Sequence, residues 1–295
     1  MDIVHHTLIG GSGYLIASAF DQHLAGAAFL MGSVFPDLDV FFMIFGKRFY
    51  LRNHQGITHS LLLAPFYALL ICLPLLYLPG VSWDWLLFGL ALSGLVLHVS
   101  LDWFNTFKIA LLSPFVSNRY SMDAVFFVDG IALLLTGLFY GFYGYFGIDF
   151  VAYVYPMLFL GYFLFKLWLH DKVVGQLKPL FVIPSSLNPF EFYILVRDDG
   201  GLSGYVYNAL GKTKKDELSY PSISKKYTKL AEQSQVFRDM QHITRAFYIT
   251  KVVETDDGIV IYAGDLAVRN YGGKFAKTIL KFDRHDRLVS EMANI

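Results

Sequence analysis

Charged residues and cysteine are scarce in this 295-residue chain. Only 16% of its residues are charged, against roughly 25% in ordinary soluble domains. The single cysteine, Cys72, excludes an intrachain disulfide and a thiolate-rich zinc site. The formal net charge of zero gives no global field that would attract nucleic acid, so we expect no nucleic-acid partner.

Charge is also distributed unevenly. Residues 1–180 carry 8 Lys and Arg and 10 Asp but no Glu, whereas residues 181–295 carry 16 Lys and Arg and 14 Asp and Glu. The sequence therefore predicts a membrane domain over residues 1–180 and a soluble domain over residues 181–295. We expect a polytopic α-helical membrane domain of five or six helices, followed by a small α+β domain with a mostly antiparallel sheet.

The membrane domain contains six apolar stretches. They cover residues 4–20, 24–45, 57–79, 85–104, 124–146 and 151–170, and a helix needs about 20 apolar residues to span a bilayer. The first stretch has a signal peptide as its alternative interpretation, although residues 1–6 lack the basic residues with which a signal peptide begins. The expected number of spanning helices is therefore five or six.

Basic residues predict the orientation. All eight Lys and Arg of residues 1–180 lie in alternate loops or near the end of the sixth stretch, and the opposite loops contain none. The positive-inside rule makes their side cytoplasmic. We therefore expect a multi-pass protein of the cytoplasmic membrane with its N-terminus and its C-terminal domain in the cytoplasm.

Histidine and aspartate residues collect at this same face. The candidate metal ligands are His6, Asp37, Asp39, His54, His59, His98, Asp102 and Asp123. Ionisable residues within membrane segments normally face an interior and have partners, and a divalent cation explains several carboxylates and imidazoles together. His98 and Asp102 are four residues apart and share a helix face. A helix break at Pro36 would let Asp37 and Asp39 approach one centre.

These donor types suit Zn²⁺ first, with Mn²⁺ or Fe²⁺ as further candidates, and their number allows two ions. Each motif taken alone has a structural alternative. Asp37 and Asp39 fit a helix-capping pair, His98 and Asp102 fit a hydrogen-bonded pair, and Arg119 fits a loop anchor on lipid head groups.

The motifs taken together resemble one family. They are His5-His6-Thr7, Pro36-Asp37-Leu38-Asp39, His54-x-Gly56-x-Thr58-His59-Ser60 and His98-x3-Asp102-x2-Asn105-Thr106, followed by Pro114-Phe115. This set resembles the YdjM/YfhP-type membrane-bound metal-dependent hydrolases of bacteria, over roughly residues 1–170. The resemblance implies a hydrolase that binds metal through these His and Asp residues, with His6 favoured over His5. Phe107-Lys108 departs from the pattern, because we expect a glycine there in relatives.

We expect a metal-dependent hydrolase at the cytoplasmic membrane face, acting on a lipid-like or amphiphilic phosphoester, with membrane lipids as partners. Asp39 and Asp102 are the candidate catalytic carboxylates, and Asn105 and Arg119 are candidate substrate contacts. A non-catalytic scaffold with a structural metal and a metal-ion transporter remain as alternatives. The chain contains no Gly-x-Ser-x-Gly elbow and no P-loop. Protein partners are not predicted.

The C-terminal part alternates apolar and polar residues in short runs. Residues 192–196 and 202–207 predict a β-hairpin, and residues 224–243 predict a helix. Further strands are expected at residues 248–253, 259–263, 276–282 and 288–291, with turns at 256–258 and 271–273.

Overall fold

The structure is a computed structural model that describes residues 2–146, 149–198, 201–244, 246–266 and 277–294. The chain divides into two compact units, residues 1–168 and 169–295. The first unit is helical. It contains α1 (Ile3–Ser18), α2 (His23–Val34), a 3-10 helix (Phe35–Phe45), α3 (Lys47–Asn53), a 3-10 turn (Ile57–His59), α4 (Ala64–Leu75), α5 (Trp85–Phe104), α6 (Gly130–Phe146) and α7 (Asp149–Leu177), which continues into the second unit.

Three helical segments among the described residues are long and apolar enough to cross a membrane. They are His23–Phe45, Trp85–Phe104 and Val151–Leu177. The apolar helices α4 and α6 are shorter, with 12 and 17 residues. The first unit is therefore helical with three candidate spans, and the expected count of five or six spanning helices stays a prediction.

The third predicted span becomes a helix only at Ala64, because its beginning is used in loop contacts. The Leu61 backbone N–H donates to the Leu111 carbonyl oxygen at 3.0 Å. The Ser60 hydroxyl donates to the Ser113 carbonyl oxygen, and the Tyr67 hydroxyl donates to the Ile57 carbonyl oxygen at 3.0 Å. The bonds of Leu61 and Ser60 tie residues 57–63 to the segment that follows α5, in place of a first helical turn.

Helices α2 and α5 pack with their backbones in close approach. A Cβ added at Gly94 would collide with the Phe29 carbonyl oxygen, and one at Gly32 would collide with the Ala91 carbonyl oxygen. Small residues at helix contacts permit such an approach in membranes. This close packing brings the end of α2 against the last turns of α5, where the candidate ligands lie.

Buried polar side chains hold the start of α6 against α7. Asp129 accepts hydrogen bonds from the Ala132 backbone at 3.0 Å and from the Tyr162 hydroxyl at 2.8 Å. Lys166 is fully buried in α7 and interacts electrostatically with Asp129. Lys166 therefore lies inside the helical unit and not in a loop, so the argument for orientation depends on the other basic residues.

Among its described residues, the second unit contains two antiparallel sheets of four strands, each in sequential order. The first has β1 (Phe181–Pro184), β2 (Glu191–Asp198), β3 (Gly201–Asn208) and β4 (Thr213–Pro221); the second has β5 (Phe247–Thr255), β6 (Gly258–Asp265), β7 (Lys277–Phe282) and β8 (Leu288–Asn294). Helices α8 (Lys225–Ala231) and α9 (Gln235–Ile243) lie between them in sequence. Leu230 and Phe237 pack in one core with Ile261 of β6 and Leu280 of β7.

The C-terminal expectations differ from the structure in three respects. One mostly antiparallel sheet was expected, whereas the described residues form two. The region expected to be one helix forms two, since the Ser234 side chain accepts a hydrogen bond from the Phe237 backbone and caps a new helix. Strands β1 and β4 were not predicted. The turn expected at residues 271–273 lies outside the described residues.

Candidate metal centre

A change of helix type places the first two carboxylates. Helix α2 ends at Val34, and the chain continues as a 3-10 helix with Pro36 in its first turn. Both Asp37 and Asp39 are buried there. They contact different partners, however, because residues two apart in a tight helix point in different directions. Asp37 faces His59 and His98, whereas Asp39 faces the loop that contains His54 and Thr58.

Four side chains converge on one buried point. They are Asp37, His59, His98 and Asp102, whose candidate ligand atoms all lie within 4.8 Å of one another. The Nε2 atom of His59 lies 3.1 Å from Asp102 Oδ2 and 3.2 Å from His98 Nε2. Asp37 Oδ1 lies 3.6 Å from His98 Nε2 and 3.8 Å from His59 Nε2. The other three residues are fully buried, and Asp37 is 8% exposed.

The backbone of α2 fixes the orientation of the His98 ring. His98 Nδ1 lies 2.7 Å from the Ser33 carbonyl oxygen. A carbonyl oxygen only accepts hydrogen bonds, so Nδ1 carries the proton. In the neutral ring, Nε2 then presents its lone pair to the other three side chains.

The Thr58 hydroxyl fixes His59 in the same tautomer as His98, with the proton on Nδ1. The Thr58 hydroxyl donates to Asp39 Oδ2 at 3.3 Å and lies 3.1 Å from His59 Nδ1. Since the hydroxyl proton points to the carboxylate, the Thr58 oxygen accepts from His59 Nδ1, and His59 Nε2 is left with a lone pair. A hydrogen bond at the second ring nitrogen is the usual way in which a ligating histidine is oriented.

Asp102 has one oxygen occupied and the other directed at the two histidines. Its Oδ1 lies 3.1 Å from His6 Nε2 and accepts from Asn105 Nδ2 at 3.2 Å. Its Oδ2 faces His59 and His98. The His6 ring also stacks on the His98 ring, with centroids 3.6 Å apart. His6 and Asn105 therefore position two members of the cluster.

Four lone-pair acceptors thus meet in a buried space, an arrangement that requires a cation or protons between them. These four atoms, two imidazole nitrogens and two carboxylate oxygens, form a suitable set of ligands for a metal ion. Metal–ligand distances of about 2.0 Å around a tetrahedral zinc imply ligand–ligand separations of about 3.3 Å, and the separations that involve His59 or His98 lie between 3.1 and 3.8 Å. One oxygen of Asp37, Oδ2, is buried without a hydrogen-bond partner among the described residues.

The remaining predicted site residues lie outside this set of four. Asp39 accepts from the Gln55 backbone N–H at 2.8 Å and lies 3.0 Å from His54 Nδ1. The Arg119 guanidinium donates to the carbonyl oxygens of His54 and Arg52 at 2.9 and 3.2 Å. These residues hold the loop that carries His59. Asp123 is buried, and its backbone N–H donates to the Asn105 carbonyl oxygen at 3.3 Å.

Two titratable groups around this loop, outside the candidate spans, have perturbed pKa values. Burial lowers the pKa of Arg119, although the charge of Asp39 opposes this shift. Burial raises the pKa of Tyr50 to about 12, and the charges of Asp39 and Asp37 act in the same direction. At neutral pH Tyr50 therefore stays protonated.

Sequence reasoning did not identify the groups that orient the ligands. The Ser33 carbonyl and the Thr58 hydroxyl each contact a histidine of the cluster. Thr58 appeared only as part of a motif, and Ser33 carried no signal. Gly94, one helical turn before His98, was the available clue, since a glycine within an apolar helix often marks a close helix contact.

The fold and the centre define a class of protein, an integral membrane protein with a buried His and Asp cluster that could hold a metal ion. Within that class, the chain belongs to the family of YdjM inner membrane proteins, whose model matches residues 1–172. This confirms the resemblance stated from the motifs.

A curated relative supports the same relationship. The uncharacterized protein YfhP of Bacillus subtilis (strain 168) is 29% identical over 181 residues, which cover 55% of this chain and 53% of YfhP. The chain thus spans about half the length of the relative that it matches. No solved structure matches the chain significantly.

Proposed function

We propose that this protein is a membrane-embedded metal-dependent hydrolase whose site faces the cytoplasm and acts on an amphiphilic phosphoester. The observation that carries the proposal is the convergence of Asp37 Oδ1, His59 Nε2, His98 Nε2 and Asp102 Oδ2 in one buried space. Imidazole and carboxylate ligands suit Zn²⁺, Mn²⁺ or Fe²⁺. The described residues provide one such group, so the proposal is for a single ion, with Zn²⁺ as the first candidate.

The chain's own residues have two roles in this proposal. Asp37, His59, His98 and Asp102 would hold the ion, which when bound lowers the pKa of water and polarises a phosphoryl oxygen. The Ser33 carbonyl, Thr58 and Asn105 keep the ligand atoms in place before the ion binds, because each makes a hydrogen bond to a ligand side chain. Burial excludes bulk water from three of the four side chains.

Hydrolysis requires an open coordination position, and the number of ligands bears on this point. Four protein ligands complete a tetrahedral zinc site, as structural zinc sites do. Six-coordinate Mn²⁺ or Fe²⁺ would keep two positions for water and substrate. Among the four candidate ligands Asp37 is the least constrained, because it alone is partly exposed and one of its oxygens has no described hydrogen-bond partner.

A structural metal in a non-catalytic scaffold is the second candidate function. The complete set of four ligands favours it. The two functions differ in their response to Asp37→Asn, which keeps the size of the side chain. A hydrolase should lose most of its turnover, whereas a scaffold has no turnover to lose and should show only weaker metal binding.

The position of the site supports an amphiphilic substrate. His98 and Asp102 lie in the last two turns of the candidate span Trp85–Phe104, and Asp37 lies in the candidate span His23–Phe45. A site near the ends of membrane helices meets lipid head groups before it meets soluble metabolites. The basic residues of the adjacent loops support a cytoplasmic face for this end, by the positive-inside rule.

The test uses full-length protein in lipid nanodiscs. We expect about one equivalent of a divalent metal by elemental analysis and cleavage of at least one member of a panel of lipid phosphomonoesters and phosphodiesters. His98→Ala should lose both the metal and the activity, whereas the matched control His170→Ala, in α7, should lose neither. Protein without bound metal, or turnover that survives complete chelation, would contradict the proposal.

A further inference from the structure

An apolar groove of about 380 Å³ lies beside the metal centre, within the helical unit. Residues of α1, α2, α5 and α7 line it, among them Ile9, Leu97, Leu101, Phe159 and Leu164. Its few polar side chains include Ser12, whose hydroxyl donates to the Ile9 carbonyl oxygen of its own helix. The groove therefore offers apolar contact and almost no hydrogen bonding to an occupant.

The groove and the metal centre share two helices. On α5, the groove residues Leu97 and Leu101 directly precede the ligands His98 and Asp102. On α1, the groove residue Ile9 lies one helical turn after His6, which contacts Asp102. Two separate helices thus carry residues of both the groove and the site, which places the groove close to the cluster, although the cluster residues are not themselves among its lining residues.

The groove is long enough for part of a lipid chain. It extends from Ile9 to Ile16 on α1 and from Phe104 back to Leu97 on α5, which is about 10 Å in each case at the rise of an α-helix. Half the hydrocarbon thickness of a bilayer is about 15 Å. On α5 the groove therefore covers the same turns as His98 and Asp102, and on α1 it extends from the turn after His6 toward the end of that helix.

We infer that this groove binds one acyl chain of a membrane lipid whose phosphate head group lies at the metal centre. The inference rests on the proposed function and narrows its substrate class to lipids with an anionic phosphate head group and at least one long chain. The chain gains little hydrophobic free energy by leaving the bilayer, because lipid tails are as apolar as the groove. The groove therefore acts by position, aligning the head group with the cluster.

A second apolar groove provides an internal control. It measures about 420 Å³ and is lined by residues of α6 and α7, among them Leu135, Leu138 and Leu158. None of its lining residues is next in sequence to a member of the cluster. We expect bulk lipid to occupy this second groove, with no dependence on the metal.

Photo-crosslinking tests the inference without relying on turnover. The probe is a non-hydrolysable alkylphosphonate with a diazirine in the middle of its chain, added to the full-length, metal-loaded protein in nanodiscs. Mass spectrometry should find the label on the groove residues of α1 and α5. Removing the metal should lower this label about tenfold or more, the effect of losing a charged head-group contact, and should leave the label near Leu138 unchanged.

A pair of matched variants keeps the test independent of chelation. Ser100→Phe fills the groove and should lower the label on α1 and α5 about tenfold at full metal occupancy, whereas Leu138→Phe in the second groove should not. Ser100→Phe should also reduce cleavage of long-chain substrate but not of a short soluble phosphoester. Equal labelling of both grooves, with or without metal, would mean bulk lipid and would overturn the inference.

Different experimental results would contradict the proposed hydrolase and the proposed acyl-chain groove. Metal-dependent labelling of the groove with no cleavage of any phosphoester would leave lipid binding in place and contradict the hydrolase. Cleavage that is indifferent to chain length, together with metal-independent labelling, would leave the hydrolase and contradict the acyl-chain groove.

Discussion

Replacement of His6 by phenylalanine separates two roles that the sequence and the structure assign to this residue. The resemblance implies that His6 is a metal ligand, whereas the structure places its Nε2 atom 3.1 Å from Asp102 Oδ1. Because a carboxylate only accepts, Nε2 carries the proton and cannot bind a metal at the same time. His6→Phe keeps a ring that can stack on His98 and removes only this hydrogen bond.

The size of the effect follows from this geometry. A hydrogen bond to a charged group contributes about 1.5–3 kcal/mol, and loss of a group that orients a ligand typically weakens metal binding about 10–100-fold. Asn105 still holds Asp102 Oδ1 in the variant, at 3.2 Å. We therefore expect the Kd for metal to rise about tenfold, with the stoichiometry unchanged at saturating metal.

The assay is competition with a chromogenic chelator, using full-length protein in nanodiscs. The matched control is His5→Phe, because His5 is also buried but pairs with Asp2 at 2.8 Å, away from the cluster. This control should bind metal like the wild type. Loss of all metal from His6→Phe would show that His6 is itself a ligand, and an unchanged Kd would show that its hydrogen bond does not position Asp102.

Three further predictions concern packing, the loop and the C-terminal unit. Gly94→Ala should destabilise the protein by about 1–3 kcal/mol through overpacking, because its Cβ meets the α2 backbone, while Gly89→Ala, which faces open space, should not lower the thermal midpoint. Arg119→Gln should increase amide exchange around His54 and leave KM unchanged if Arg119 anchors the loop; a raised KM would indicate substrate contact. Backbone hydrogen bonds lower the pKa of Asp283 in the folded protein. The stability that Asp283 gives to the β7–β8 turn should therefore be fully present above the pKa of an unfolded Asp. It should be lost as the pH falls through the lower pKa of the folded state. Amide exchange in that turn measures this loss, and a turn unaffected by acid would contradict it.

The sequence predicted the composition of the site better than its arrangement. The four-residue spacing of His98 and Asp102 was informative because both lie on a helix, whose period is known. Asp39 could not be distinguished from Asp37 in this way. Its carboxylate is used by the Gln55 backbone and by His54, and these partners arrive through a loop whose path no periodicity encodes.

The number of spans was less predictable for a related reason. Apolar composition measures how readily a segment leaves water, and it does not determine backbone conformation. Residues 57–63 begin the apolar stretch 57–79, but their backbone and Ser60 bind the segment around Leu111 and Ser113. The α+β character of the C-terminal unit was easier to predict, since turns and alternation identified the hairpin of β2 and β3. Strand β4 carries the polar run 213–217 and gave no such signal.

The way in which the ligands are held has a consequence for both candidate functions. His98 is fixed by the end of α2, His59 by Thr58 and Asp39, and Asp102 by α1 through His6. These groups come from segments far apart in sequence, so the cluster forms only when the helical unit has folded. Metal binding should therefore stabilise that unit whether or not the protein is an enzyme, and loss of stability on chelation cannot distinguish a hydrolase from a scaffold. Asp37 can, because it is the most exposed of the four and its Oδ2 atom has no hydrogen-bond partner among the described residues.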